Sequence, residues 1–141
     1  MAVLGRNFIV KLKQTTATGD PVAIVGQRNG TISITADVVD TTVKGSGLGT
    51  PLAKENMINT YGWEVTLSGA YDMSDTHNAM SYLIAGTEVT VECEIGIDNT
   101  SESDVLKGDG WITSVSSNGD QGDLATYDIT ITGSGALTVT N

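Results

Sequence analysis

The sequence predicts a mainly-β domain, a sandwich or barrel of seven to eight strands with one flanking helix, and three observations lead there. β-Branched residues make up nearly a third of the 141 residues, with 20 Thr, 13 Val and 11 Ile; two heavy atoms on Cβ stiffen χ1 and suit a pleated surface. Seventeen glycines against two prolines supply turns without interrupting ladders. Several segments also alternate apolar and polar residues with the period of two that a half-buried strand imposes. At 14.7 kDa the chain has the commonest size for one domain. No repeat marks a second, so residues 1–141 read as a single domain.

Phe8 to Lys13 is the first strand, with Phe8, Val10 and Leu12 on one face and Asn7, Lys11 and Lys13 on the other. Val22–Gln27 and Thr31–Asp37 follow, joined by a turn at Arg28-Asn29-Gly30, because Asn-Gly tolerates positive φ. From about 40 to 59 the alternation stops, and Lys44-Gly45-Ser46-Gly47-Leu48-Gly49-Thr50-Pro51 reads as the flexible part of a long loop. Structureless connections of that length are uncommon in compact domains unless they are functional. The loop is therefore either a contact with a partner or another copy, or a tolerated surface insertion.

Tyr61–Tyr71 resumes strand character, with Trp63, Val65 and Leu67 sharing a face. A helix over about 75–85 is expected next, with Ser74 or Asp75 as N-cap, Met80, Leu83 and Ile84 as its apolar stripe and Gly86 as its stop. The clearest strand is Thr87–Ile97: Val89, Val91, Cys93, Ile95 and Ile97 lie on one face, Glu88, Thr90, Glu92 and Glu94 on the other. A polar loop at Asp98–Asp104 leads to strands Gly110–Ser116, Thr126–Thr132 and Ala136–Thr140, with turns at Asn118–Asp123 and Gly133-Ser134-Gly135.

Net charge is −10 and unevenly placed: residues 1–54 carry +3 and residues 55–141 carry −13. Gripping a phosphate backbone needs a dense basic surface, so that function is disfavoured. No apolar run approaches the roughly 20 residues that cross a bilayer, and the basic, interrupted start of the chain predicts no secretion signal. One cysteine cannot form an internal disulfide, which fits a reducing compartment. His77 is expected to be solvated or partly packed on the helix, and Cys93 buried and inert. One His and one Cys compose no ordinary zinc site. Gly45-x-Gly47-x-Gly49 lacks the Lys-Ser/Thr of a phosphate loop, and neither Asp98, Glu102, Asp104 nor Asp120, Asp123 has calcium-loop spacing. No catalytic residue, metal or cofactor is expected. The stripe Glu88, Glu92, Glu94 is either a solvated strand face or an acidic wall that an anion must pass, since like charges at alternate positions repel unless screened.

The run Trp63-Glu64-Val65-Thr66-Leu67-Ser68-Gly69-Ala70-Tyr71-Asp72, the helix ending Leu83-Ile84-Ala85-Gly86, then Gly108-Asp109-Gly110-Trp111-Ile112-Thr113-Ser114 and Ala125-Thr126-Tyr127-Asp128-Ile129-Thr130-Ile131-Thr132-Gly133-Ser134-Gly135-Ala136-Leu137-Thr138 together resemble the major tail (tail tube) proteins of tailed bacteriophages, of the TP901-1-like kind. The resemblance implies a virion protein assembled in the host bacterial cytoplasm, six copies closing into a ring and rings stacking into a tube. It also implies a tape-measure protein inside, a tail terminator and baseplate or tip proteins at the ends, and DNA passing without specific binding or any membrane. Six copies would carry about 60 negative charges per ring, repelling phosphate from the wall. Under that reading the lumen-lining candidates are Glu88, Glu92 and Glu94, or the face of Thr126, Asp128 and Thr130. The contact candidates are Lys44, Gly45, Ser46, Gly47, Leu48, Gly49 and Thr50 with Lys11 and Lys13. Two alternatives remain: the inner-tube protein of a contractile injection or secretion system, and a secreted β-sandwich binding module. The second is disfavoured by only seven aromatic residues with which to stack a sugar.

Overall fold

The computed structural model describes residues 8–24, 26–42, 53–71, 73, 75–96 and 103–140. In chain order these form β1 (Phe8–Gln14), β2 (Val22–Ala23), β3 (Gln27–Asp40), β4 (Asn56–Ala70), α1 (Asp75–Ala85), β5 (Glu88–Gly96), β6 (Ser103–Asn118) and β7 (Thr126–Thr140). The strands form one sheet in the order β2-β1-β5-β6-β7-β4-β3, with every neighbouring pair antiparallel.

Alternation gives this sheet one apolar face. Val10, Trp63, Val65, Leu67, Val89, Val91, Cys93, Ile112, Tyr127, Ile129 and Ile131 are all buried on it. Hydration of that face costs roughly 25 cal/mol for each Å² left in water, so the sheet curls until the face covers itself. β1 stands second in the order and β3 last, yet they meet. The ring of Phe8 packs so closely on Gly30 that a Cβ there would lie 2.7 Å from it. The side-chain amide of Gln27 closes the seam. Its Nε2 donates to the carbonyls of Val10 (3.1 Å) and Ile24 (2.9 Å), and its Oε1 accepts from the Val10 N–H (3.0 Å). The Val10 carbonyl also accepts the Ile24 N–H (3.3 Å), so it is for the Val10 N–H that this amide replaces the peptide of a neighbouring strand.

Four register shifts bend the long strands and account for the main departures from the sequence reading. Arg28-Asn29-Gly30 is not a turn but lies inside β3, where Gln27 faces Gly69 and Asn29 faces Ser68, so Arg28 is a bulge residue. The turn comes earlier, at Gly26, whose φ of 79° favours a residue without Cβ. Gly133-Ser134-Gly135 likewise sits within β7: Leu137 pairs with Gly108 and Ser134 with Asp109, leaving Gly135 and Ala136 as the bulge. A bulge absorbs a local kink while the ladder continues on both sides. The predicted loop at 98–104 ends earlier than expected, because β6 begins at Ser103.

Helix α1 packs beside β6. Thr76 and Ala79 are its buried residues, with Tyr82 and Leu83 partly covered. Ile84, expected in the apolar stripe, is 87% exposed. The packed face runs i, i+3, i+7 through Thr76, Ala79 and Leu83, which rotates Ile84 outward. The helix ends as predicted at Gly86, whose N–H reaches Leu83 O (3.3 Å) while the Thr87 N–H reaches Tyr82 O (2.9 Å), the paired bonds of a Schellman cap.

Pairing of β4 with β7 stops at Glu64–Thr132, whereas pairing with β3 continues to Asp40–Asn56. Beyond Glu64, β3 and β4 thus project as a two-stranded arm. Asp40 and Asn56 to Asn59, placed in the loop by the sequence, are strand. The arm's end is pinned: the Thr41 N–H donates to Glu55 O (2.9 Å), the Glu55 N–H to Thr42 Oγ1 (2.7 Å) and the Thr42 N–H to Asp40 Oδ1 (2.9 Å). The loop candidates Lys44 to Thr50 lie outside the described residues.

These bonds set two expectations. Gln27→Ala should lower unfolding free energy by about 2 kcal/mol, because it orphans backbone groups at the seam; an unchanged denaturant midpoint would show that the seam does not depend on the amide. Hydrogen bonds from Thr42 hold the Asp40 carboxyl below the usual carboxylate range. Its contribution is therefore present above the ordinary value and lost as pH falls through the lower folded one. The Thr42 amide resonance should keep its bonded shift at mildly acid pH and move only below about pH 4. A shift that is flat to lower pH, or identical in Asp40→Asn, contradicts this.

Candidate assembly surfaces

The solvent face of the sheet divides into two chemically distinct parts. Across β1, β5 and β6, lysines and glutamates face one another: Lys11 pairs with Glu92, which pairs with Lys107. Lys11 Nζ also lies 2.8 Å from Glu94 Oε2. That hydrogen bond raises the Lys11 ammonium above its ordinary value, against a smaller opposing effect of burial. Lys13 Nζ donates to Gly19 O at 2.9 Å. Thr90 Oγ1 donates to Asp109 Oδ1 at 2.8 Å. The structure thus brings Glu88, Glu92 and Glu94 onto one half-buried row, as alternation requires, but sets Glu92 and Glu94 beside lysines. Their charge is largely balanced locally.

The second part spans β6, β7, β4 and β3. Asp128 is exposed on β7 and faces Ser68 on one side and Ser116 on the other. Thr130 faces Thr66 and Ser114; Thr132 faces Glu64 and Trp111. β3 adds Asn29, Thr31 and Ser33 opposite Ser68, Thr66 and Glu64. Hydroxyls dominate, Glu64 and Asp128 are the acids, and Arg28 at the bulge is the nearby cation. A shallow depression of about 310 Å³ lies on this face between Thr31, Thr66, Asp128 and Thr130. Sequence reasoning named Thr126, Asp128 and Thr130 but missed Glu64, although Glu64, Thr66 and Ser68 alternate with the buried Trp63, Val65 and Leu67.

The arm is a third surface. Val38 faces Ile58 on one side of the ribbon and Val39 faces Met57 on the other. They are 61%, 63%, 47% and 63% exposed in that order, far above what apolar side chains of a finished core show. The signal was present as the doublets Val38-Val39 and Met57-Ile58, where alternation gives way to apolar residues on both faces.

Chemistry in the catalytic sense is not assembled by the described residues. No group of three or more His, Cys, Asp or Glu side chains among them is placed to hold a metal ion. Burial pushes the Cys93 thiol up to about 12, far from a reactive thiolate. His77 is exposed on α1. No described helix is long and apolar enough to cross a membrane.

Comparison with known proteins agrees with this picture of surfaces without a reaction centre. A search of the curated proteins finds no match. Among solved structures, the chain is similar to a subunit described as the tail of an empty gene transfer agent particle with C6 symmetry, at 25% identity and a TM-score of 0.77, covering 99% of this chain and 100% of that one. It shares its fold with the SPP1 tail tube (10% identity, TM-score 0.76, 99% and 80% covered) and with a chain of the anti-feeding prophage baseplate (11%, 0.75, 100% and 97%). The family model described as phage tail tube protein matches residues 2–139 and does not itself distinguish a TP901-1-like kind. The chain therefore belongs to the phage tail tube protein family and is a non-enzymatic structural protein of the tail.

Proposed function

We propose that six copies of this chain close into a ring and that rings stack into the tube of a virion tail, whose lumen conducts DNA. The observation that carries this reading is the long open edge of β3. It runs fourteen residues, Gln27–Asp40, at the end of the sheet order. Apart from the seam with β1 it has no strand beside it on that side among the described residues. An unpaired edge of that length is a standing invitation to another chain. The same molecule offers a complement: β5 pairs with β6 only as far as Trp111, so β6 from Ile112 to Asn118 keeps one side without a described strand. Joining the β3 edge of one copy to this stretch of the next continues the sheet β6-β7-β4-β3 around a closed wall. Closure removes edges altogether.

The face turned to the lumen is, in this reading, the one carrying Asp128 and Glu64 among hydroxyls. Threonine and serine interact with water and leave no cation row to hold a phosphate backbone, while two acids per copy repel it. At physiological salt the repulsion reaches about 8 Å from the wall. Glu88, Glu92 and Glu94, beside Lys11 and Lys107, suit a subunit contact or the tube exterior better than a repelling wall. Lys11 and Lys13 lie with them. Lys44 to Thr50, between β3 and β4 in the sequence, are then the contact between rings. A tape-measure protein inside, with terminator and baseplate or tip proteins at the ends, completes the assembly. The likeness to an anti-feeding prophage chain supports the inner tube of an injection device as the second reading.

Electron microscopy of the purified protein at rising concentration tests the proposal: six-fold rings or tubes are expected, and a monomer at every concentration overturns it. Glu64→Lys combined with Asp128→Lys should still assemble but retain DNA in the tube, cutting ejection; normal ejection would reject this lumen face.

A further inference from the structure

We infer that Asn118 is a site of spontaneous covalent modification, at which the backbone nitrogen of Gly119 displaces the side-chain amide and a carboxylate results. The chemistry depends on the geometry of one turn, not on ring formation. Two Asn-Gly pairs occur in the chain, Asn29-Gly30 and Asn118-Gly119. In both, the residue after asparagine has no Cβ to crowd the approach of its nitrogen to the asparagine Cγ. The fold then treats them differently.

Asn29-Gly30 is locked. Both residues lie within β3, opposite Ser68 and Leu67 of β4. The Phe8 ring covers Gly30 so closely that a Cβ there would lie 2.7 Å from it. Extended backbone in a ladder directs the side chain out of the pleat, away from the next nitrogen, and bending it into a ring would break the pairing.

Asn118-Gly119 is open. Asn118 ends β6 and makes the last rung of its ladder with Thr126, and Gly119 and Asp120 lie beyond. Hydrogen bonds of an antiparallel strand alternate from one side to the other. The Ala125 carbonyl, across from Gly119, accepts the Tyr71 N–H at 2.9 Å and is thus turned towards β4. By the same alternation the Gly119 N–H is turned away from β7. On that side β5 accompanies β6 only as far as Trp111. No described backbone carbonyl accepts the Gly119 N–H. Asn118, Gly119 and Asp120 are all exposed, and a Cβ on Gly119 would meet only the Ala125 Cβ, at 3.9 Å. Attacking nitrogen and side-chain amide therefore share a solvated turn with room to close a ring.

The step balances without a redox partner. Base removes the Gly119 amide proton, the nitrogen bonds to Asn118 Cγ, the Cγ–Nδ2 bond breaks, and Nδ2 takes up a proton and leaves as ammonia. One water then opens the cyclic imide at either carbonyl, giving aspartate or isoaspartate. Asn118 faces Thr126 as Ser116 faces Asp128, so the new carboxylate joins the face of Asp128. Under the ring reading, on which this consequence alone rests, each copy adds a negative charge at the hairpin end of the lumen wall.

Incubation of the full-length protein in mildly alkaline buffer, followed by peptide mass spectrometry and ammonia release, tests the site. In the native protein Asn118 should convert several-fold faster than Asn29. In denaturant the two should convert alike, because the ladder no longer protects Asn29. Gly119→Ala should slow conversion at Asn118 several-fold and leave Asn29 unchanged. Equal rates at the two asparagines in the native protein would overturn the inference, as would an Asn118 that keeps its amide while the denatured chain reacts. Protein that converts at Asn118 yet never forms rings would overturn the ring reading alone.

Discussion

A single antiparallel sheet has one apolar face and two edges, and this molecule resolves the first problem at the expense of the second. Curling brings β1 against β3 and buries the core, with the Gln27 amide standing in for a missing peptide at the seam. Yet the seam is local. It reaches Gly30 at Phe8 and then ends, so most of β3 stays without a described neighbour on its outer side. The open edge of β3 and the projecting arm both trace back to that incomplete closure.

The functional chemistry is spread over surfaces. Enzymes concentrate perturbed groups in a cleft, whereas among the described residues the one strongly shifted group is the Cys93 thiol, pushed up by burial in the core. The acids that matter to a DNA conduit need only be exposed and not outnumbered by basic neighbours, the case for Glu64 and Asp128 beside the single Arg28. Exposed charges act weakly one at a time, but a ring repeats each of them on every copy, so a weak wall becomes continuous. Where acids stand beside lysines, as Glu92 and Glu94 do, the same arithmetic cancels.

Much of this was legible in the sequence because alternation is unambiguous where one face is buried. The inward residues of β4, β5 and β7 follow from period two alone, and Gly86 from its position after the helical stripe. Failures arose where tertiary context overrides local chemistry. Asn29-Gly30 has the composition of a hairpin turn, but Gly30 is there to admit the Phe8 ring and the strand runs through it. Gly133 to Gly135 have the composition of a turn and form a bulge, since glycine serves both. The helix stripe is rotated from its expected phase because Thr76, a polar residue, occupies a buried position that turns Ile84 to solvent. Lysines that neutralise Glu92 and Glu94 come from β1 and β6, and no spacing within β5 announces cross-strand neighbours.

Amide hydrogen exchange, compared between free subunits and assembled tubes, probes the open edge most directly. If copies join through that edge, the β3 amides between Thr31 and Asp40 that point away from β4 exchange freely in the monomer and become protected on assembly, together with outward amides of β6 between Ile112 and Asn118. Tubes in which both sets remain as labile as in the monomer would mean that the copies associate through some other surface, and the edge would lose its place as the origin of the assembly.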